Sequence, residues 1–132
     1  MKLEHIALNV GDPVAMAAWY VEHLGLKIVR QETESPYTHF LADSSNTILL
    51  EIYNNPPNQV PPYASLNPLQ LHVAFVSVDP EADKRGLLAA GASLVEELLF
   101  DDGSHLVMLR DPWGLALQLC KRAVPMLNGK NR

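Results

Sequence analysis

Residues Glu4 to Pro13 read EHIALNVGDP, and Leu71 to Pro80 return the same stretch in altered form as LHVAFVSVDP. Aligned without a gap, His5 meets His72, Ala7 meets Ala74, Asp12 meets Asp79 and Pro13 meets Pro80, at an offset of 67 residues (72 less 5). The first copy alternates. Leu3, His5, Ala7 and Asn9 fall on one face and Ile6, Leu8 and Val10 on the other, which is the period of a β-strand. Asp12 is a good helix N-cap and Pro13 is tolerated at the first helical position, so a helix starts there. Val14, Ala17, Val21 and Leu24 continue it at helical spacing, and Gly25 is the stop.

Working outward, LKIVRQE and YTHFLAD read as strands, SSN as a turn and TILLEIY as a further strand, so the first half is β-α-β-β-β. The second half repeats that order. LHVAFVSV is a strand, DPEADKRGLLAAG a capped helix ending at Gly91, and ASLVEEL, HLVML and LALQLCK are strands separated by DDG and DPWG. The expected class is α+β, two tandem βαβββ modules over residues 3–53 and 69–121 within one domain, 1–122. Between the modules, NNPPNQVPPYASLNP (54–68) is too rich in proline for regular structure and reads as a connector that could serve as a flap. The tail, 123–132, has no periodic pattern and reads as disordered.

Composition narrows the function classes. A chain of 132 residues with 48% hydrophobic side chains can enclose a core as a single domain. A formal charge of −5 without a Lys/Arg cluster argues against nucleic acid. No run of eighteen apolar residues is present, and Glu4 and His5 interrupt the segment a signal peptide would need, so a cytoplasmic chain with no membrane partner is expected. A single cysteine, Cys120, excludes an internal disulfide and fits a reducing compartment.

Two polar residues interrupt otherwise apolar strands: Glu51 in ILLEIY and Gln118 in LALQLCK, again 67 apart (118 less 51). They are equivalent positions in the two copies. A buried carboxylate on such a strand is costly unless it is paired, hydrogen-bonded or metal-bound. If a pseudo-twofold axis relates the copies, His5, Glu51, His72 and Gln118 converge on it. Two imidazoles, a carboxylate and an amide oxygen suit a divalent cation such as Zn, Ni, Mn or Fe(II). A lone histidine on a strand is more often a satisfied structural residue; four polar residues locked to one internal offset weigh against that reading.

These residues resemble the vicinal oxygen chelate superfamily, which includes glyoxalase I, methylmalonyl-CoA epimerase, ring-cleaving dioxygenases and bleomycin-resistance proteins. The resemblance covers residues 3–121 and rests on LEHIALNVGDP, LLEIY, LHVAFVSV and LRDPWGLALQL, the last echoing D-P-x-G-x-x-x-E. It implies a cupped, partly closed mixed β-sheet around a central cavity that holds a metal, often in a homodimer, with ligands at His5, Glu51, His72 and Gln118. Gln118 departs from the carboxylate usual there in glyoxalase I and the dioxygenases, which lowers the ligand charge and makes the ion a stronger Lewis acid.

The chemistry implied is that of a metal-dependent lyase or isomerase, acting on a small substrate with vicinal oxygens through a metal-stabilised enediolate, with Glu51 as base. His39 and His105, 66 apart, together with Tyr53 and Trp113, are candidate substrate contacts. His23 near a helix C-terminus is explained by the dipole, and Arg30 lies where some glyoxalases carry a strand arginine. One alternative is metal-free ligand binding or resistance, with Trp19, Tyr53, Tyr63 and Trp113 as aromatic walls. Another is an Fe(II) dioxygenase using His5, His72 and Glu51.

Overall fold

The computed structural model describes residues 1–127; the end of the expected disordered tail lies outside the described residues. The chain forms two compact units, the first Met1–Pro61 and the second starting at Pro62. The first contains β1 (His5–Asn9), α1 (Pro13–Leu24), β2 (Lys27–Gln31), β3 (His39–Ala42) and β4 (Leu49–Tyr53). The second contains β5 (Val73–Val76), α2 (Pro80–Ala89), β6 (Ser93–Leu99), β7 (His105–Arg110) and β8 (Ala116–Lys121). Each unit holds one four-stranded sheet, ordered β1-β4-β3-β2 and β5-β8-β7-β6. In both, the first strand runs parallel to the last and the other pairs are antiparallel. The α+β class and the tandem βαβββ modules are as the sequence indicates.

The helix starts repeat at atomic detail. Asp12 accepts from the amide of Ala15 and Asp79 from that of Ala82, both at 3.1 Å, with Pro13 and Pro80 opening their helices. Gly25 ends α1 at φ +69°, a left-handed conformation that a side chain would strain. The apolar stripe of α1 differs from the sequence expectation. Pro13, Met16, Ala17 and Tyr20 face the core, whereas Val14 and Val21 are 51% and 36% exposed. Both stripes have helical spacing; the one carrying Met16 and Tyr20 presents more apolar surface, and its burial fixes the helix rotation.

α1 packs on β2, β3 and β4, and α2 on β6, β7 and β8. On the helix-bearing face lie the most buried side chains, Leu41 and Ile52 in one unit and Val107, Leu109, Leu117 and Leu119 in the other. The opposite face of each sheet carries the polar residues of interest.

The connector is more regular than its prolines suggest. It makes two single 3₁₀ turns, Pro57–Gln59 and Tyr63–Ser65, the first with proline at a starting position where the missing N–H costs nothing. Its first part is pinned to the first unit: the Asn9 side-chain amide donates to the carbonyls of Pro56 and Gln59, and its oxygen accepts from Asn55 N–H. Its last part is pinned to the second, where the Arg110 guanidinium donates to the carbonyls of Tyr63, Leu66 and Gly114 at 2.7–3.0 Å.

Candidate functional site

Strand register fixes which side chains share a face. In the first unit Ala7 pairs with Glu51, Glu51 with Phe40, and Phe40 with Arg30. In the second, Ala74 pairs with Gln118, Gln118 with Met108, and Met108 with Glu96. Residues directly opposite one another lie on the same face, so each sheet carries an equivalent row. Ala7–Glu51–Phe40–Arg30 answers Ala74–Gln118–Met108–Glu96. The internal repeat therefore extends to the register of the sheets.

The first row is extended by His5, two residues before Ala7. Its Nε2 lies 3.1 Å from Glu51 Oε2, and its Nδ1 donates to Glu4 Oε1 at 2.9 Å. The Phe40 ring meets the imidazole edge-on, with centroids 6.1 Å apart, and the Arg30 guanidinium lies 5.8 Å from the centroid of that ring. In the second unit His72 donates from Nδ1 to the Pro68 carbonyl at 2.7 Å. The Gln118 amide oxygen accepts from Cys120 Sγ at 3.1 Å. Both histidines thus commit Nδ1 to an oxygen acceptor, which aims the other ring nitrogen elsewhere. An imidazole that ligates a metal is oriented in this way.

The His5–Glu51 pair of the first unit has the spacing of two donors to one divalent cation. Two ligand atoms each about 2.0–2.1 Å from one ion lie about 2.9 Å apart at a right angle and about 3.3 Å apart at the tetrahedral angle. The His5–Glu51 separation falls between these. A nitrogen lone pair facing a carboxylate oxygen at this range is repulsive unless a proton or a cation sits between them. Among the described residues, no group of three or more His, Cys, Asp or Glu side chains is arranged to hold a metal ion.

The other candidates divide by face. Tyr53 pairs with Asn9 on the Glu51 side. His39 pairs with the fully buried Ile52 on the helix-bearing side, is itself 4% exposed, and donates from Nδ1 to the Tyr37 carbonyl. His105 shares the helix-bearing side with Val107 and bonds Glu97 Oε1 at 2.7 Å. The structure therefore does not bring His39 or His105 to the face of Glu51 and Gln118. Trp113 is half-buried in the β7–β8 turn, where its backbone N–H donates to Asp111 Oδ1. Trp19 and Tyr63 are buried, Trp19 against the rings of Tyr20 and His23. Burial raises the Cys120 thiol above its ordinary range, only partly offset by Arg122, so the thiol stays protonated at neutral pH.

Sequence reading missed Glu4 and the Pro68 carbonyl as partners of the two histidines. Adjacency to His5 was an available signal for Glu4; a backbone carbonyl four residues before His72 leaves none. It also missed an open cleft of about 300 Å³ in the second unit, lined by Asn67, Pro68, Leu69, Val95, Glu96 and Met108.

A family model described as the glyoxalase/bleomycin resistance protein/dioxygenase superfamily matches residues 2–119. Among solved structures, a glyoxalase family protein from Enterococcus faecalis is 26% identical, with a TM-score of 0.69 over 91% of this chain and 97% of that one. A lactoylglutathione lyase from Agrobacterium tumefaciens is 19% identical, with a TM-score of 0.69 over 95% and 96% of the two chains. TnmS3, an antibiotic-binding protein from Streptomyces sp. CB03234, is 18% identical, with a TM-score of 0.70 over 91% and 94%. At the latter two identities the likeness concerns the fold. No curated protein matches the chain in sequence.

Proposed function

The chain belongs to the glyoxalase/bleomycin resistance protein/dioxygenase superfamily, and from that premise we propose that it is a metal-dependent lyase or isomerase acting on a small substrate with neighbouring oxygens. His5 and Glu51 of the first unit and His72 and Gln118 of the second hold one divalent cation, within one chain or across two copies. The observation that carries this reading is the His5–Glu51 contact at 3.1 Å, with Nδ1 of His5 held by Glu4 and Nδ1 of His72 held by Pro68. The ion, when bound, supplies Lewis-acid stabilisation of oxygen atoms on which negative charge develops.

The chain's own residues do the proton work. Glu51 is the only carboxylate in the quartet, half-buried at 17% side-chain exposure, and takes a proton from the substrate carbon and returns it one atom away. Glu4 holds the His5 ring in place while Glu51 changes protonation. Gln118, which cannot take a proton, serves as a neutral oxygen donor, so the acid–base work falls to one unit. Ala7 and Ala74, beside Glu51 and Gln118 in the rows, leave space for a substrate next to them.

The test is metal content, by elemental mass spectrometry, of protein purified without chelator, followed by assays on hemithioacetals and epimerisable thioesters. One ion per quartet is expected, lost in His5→Ala/His72→Ala. Glu51→Gln should lower kcat by about 10²–10⁴-fold while metal is retained after reloading. Unchanged turnover in Glu51→Gln removes it as base, and failure to take up metal even after reloading removes the metalloenzyme reading.

The cleft of the second unit favours a second reading, binding of a small organic ligand without turnover. The Streptomyces protein of the same fold is an antibiotic-binding protein. Saturable ligand binding by metal-stripped protein that shows no turnover after reloading would select this alternative. For either activity we propose a homodimer, because the outer strand β6 is exposed along its whole length and presents Leu94, Val95, Leu98 and Leu99 uncovered.

A further inference from the structure

The cleft of the second unit has an unusual wall. Val95 and Glu96 are consecutive, and in a regular strand they would point to opposite faces. The ladder between β6 and β7 is irregular between Leu94 and Glu96, so both side chains line the same cleft. Bulges re-aim side chains in this way next to binding sites. Met108, Asn67 and Pro68 at the end of the connector, and Leu69 just after it complete the lining. The 67–69 segment is held in place: Asn67 Oδ1 accepts from Leu69 N–H, Gln70 Oε1 accepts from Asn67 N–H, and the Pro68 carbonyl is tied to His72.

Of the six lining residues only Glu96 is ionisable. No ion pair among the described residues involves it. The neighbouring Glu97, on the other face, is paired with Lys84 and His105. Arg110, on the face of Glu96 and Met108, is committed to three backbone carbonyls. The equivalent position in the first unit is Arg30, so the two rows end in opposite charges. Apolar walls beside one uncompensated carboxylate complement a molecule that is apolar at one end and cationic at the other.

We propose that this cleft binds an amphipathic organic cation, with its apolar body against Met108, Val95 and Leu69 and its ammonium or guanidinium group at Glu96. Glu96 stands two strands from Gln118 along the row Gln118–Met108–Glu96, about 10 Å at the usual strand spacing. A ligand that reaches Gln118 with one end therefore carries its positive group about that distance away. The proposal rests on the second unit alone and needs neither the metal nor turnover, so it stands or falls separately from the lyase or isomerase reading.

The test is calorimetric titration of the full-length, metal-stripped protein at low ionic strength with three probes of one shape: 4-phenylbutylammonium, 4-phenylbutanol and 4-phenylbutyrate. The ammonium should bind about 2–5-fold more tightly than the alcohol, and the carboxylate more weakly than either. Glu96→Gln should bring ammonium and alcohol to equal affinity, and Leu69→Ser, in a side chain that is 84% exposed, should weaken all three. Glu97→Gln removes the same charge from the other face and should leave the ranking unchanged. The proposal is overturned if none of the probes binds, if the three bind equally, if the preference survives Glu96→Gln, or if Glu97→Gln abolishes it as fully, since the net charge of the chain would then be its source.

Discussion

Gly114 sits at φ +92°, and a Cβ built on it would lie 2.5 Å from Ala64 Cβ and 2.8 Å from Ala64 N. Its carbonyl and that of Tyr63 are both bonded by Arg110. The glycine of DPWG is therefore the point where the β7–β8 turn and the connector's second 3₁₀ turn meet backbone to backbone. Gly114→Ala adds both the strain of a left-handed side chain and a collision with backbone that cannot rotate away, and is expected to cost more than about 2 kcal/mol in urea unfolding. Gly103, also at positive φ but with nothing within 4 Å of a built Cβ, should cost less when changed to Ala. At this scale the sequence was partly readable. The equivalence of His5 with His72 and of Glu51 with Gln118 could be counted along the chain. The face occupied by His105 could not, because HLVML is apolar at both parities and only the packing of α2 on the sheet, with Val107 and Leu109 fully buried, decides which side is core. For His39 the deciding neighbour is Leu41, buried on the same face.

At the scale of elements, the caps and turns located both helices, while most strand ends drew in by one or two residues where alternation continued past the last ladder partner, and β6 and β7 each ran one residue further, to Leu99 and Arg110. The bulge in β6 left no mark in ASLVEEL, since an extra residue in a run of Leu, Val and Glu does not break an alternation that is already imperfect. Beside that bulge, Lys84 of α2 bonds Glu81 and Glu97, and His105 of β7 bonds Glu97, so a helix and two strands are tied through one carboxylate. The hydrogen bond from His105, then that from Lys84, holds the Glu97 carboxyl below its ordinary value of 4.5. A carboxyl whose folded value is depressed contributes stability above the unfolded value and loses it as pH falls through the folded one. Wild-type protein should therefore lose thermal stability as pH drops below about 4.5, on top of the general acid effect. In Glu97→Gln the Tm should be lower than wild type at pH 7, with the gap closing toward pH 3. A gap that stays constant across that range would show that the carboxylate contributes by packing rather than by charge.

For the whole molecule, the repeat was legible as a pattern of elements and its meaning as a fold is now explicit: two sheets of identical order and register, each with a helix on one face and, on the other, the row that carries Glu51 or Gln118. What a single sequence could not convey is how much of each sheet remains open. β2 and β6 are the outer strands of their sheets, and every residue of both is exposed. In β6 the exposure is apolar: Leu98 is 43% and Leu99 76% exposed, followed by Phe100 at 47%. Glu96 and Glu97 are its only charges, and Glu97 is already paired. An outer strand of this composition is an adhesive edge unless another surface covers it. A second copy is the covering surface expected from the resemblance to a family often found as dimers. Sedimentation at micromolar concentration should give twice the 14.6 kDa of one chain. Leu98→Lys/Leu99→Lys places charge on both faces of the strand and should return the protein to monomer without loss of its circular dichroism. A wild type that sediments as a monomer would leave β6 open in solution, and its leucines would then predict concentration-dependent aggregation, suppressed by the same double substitution.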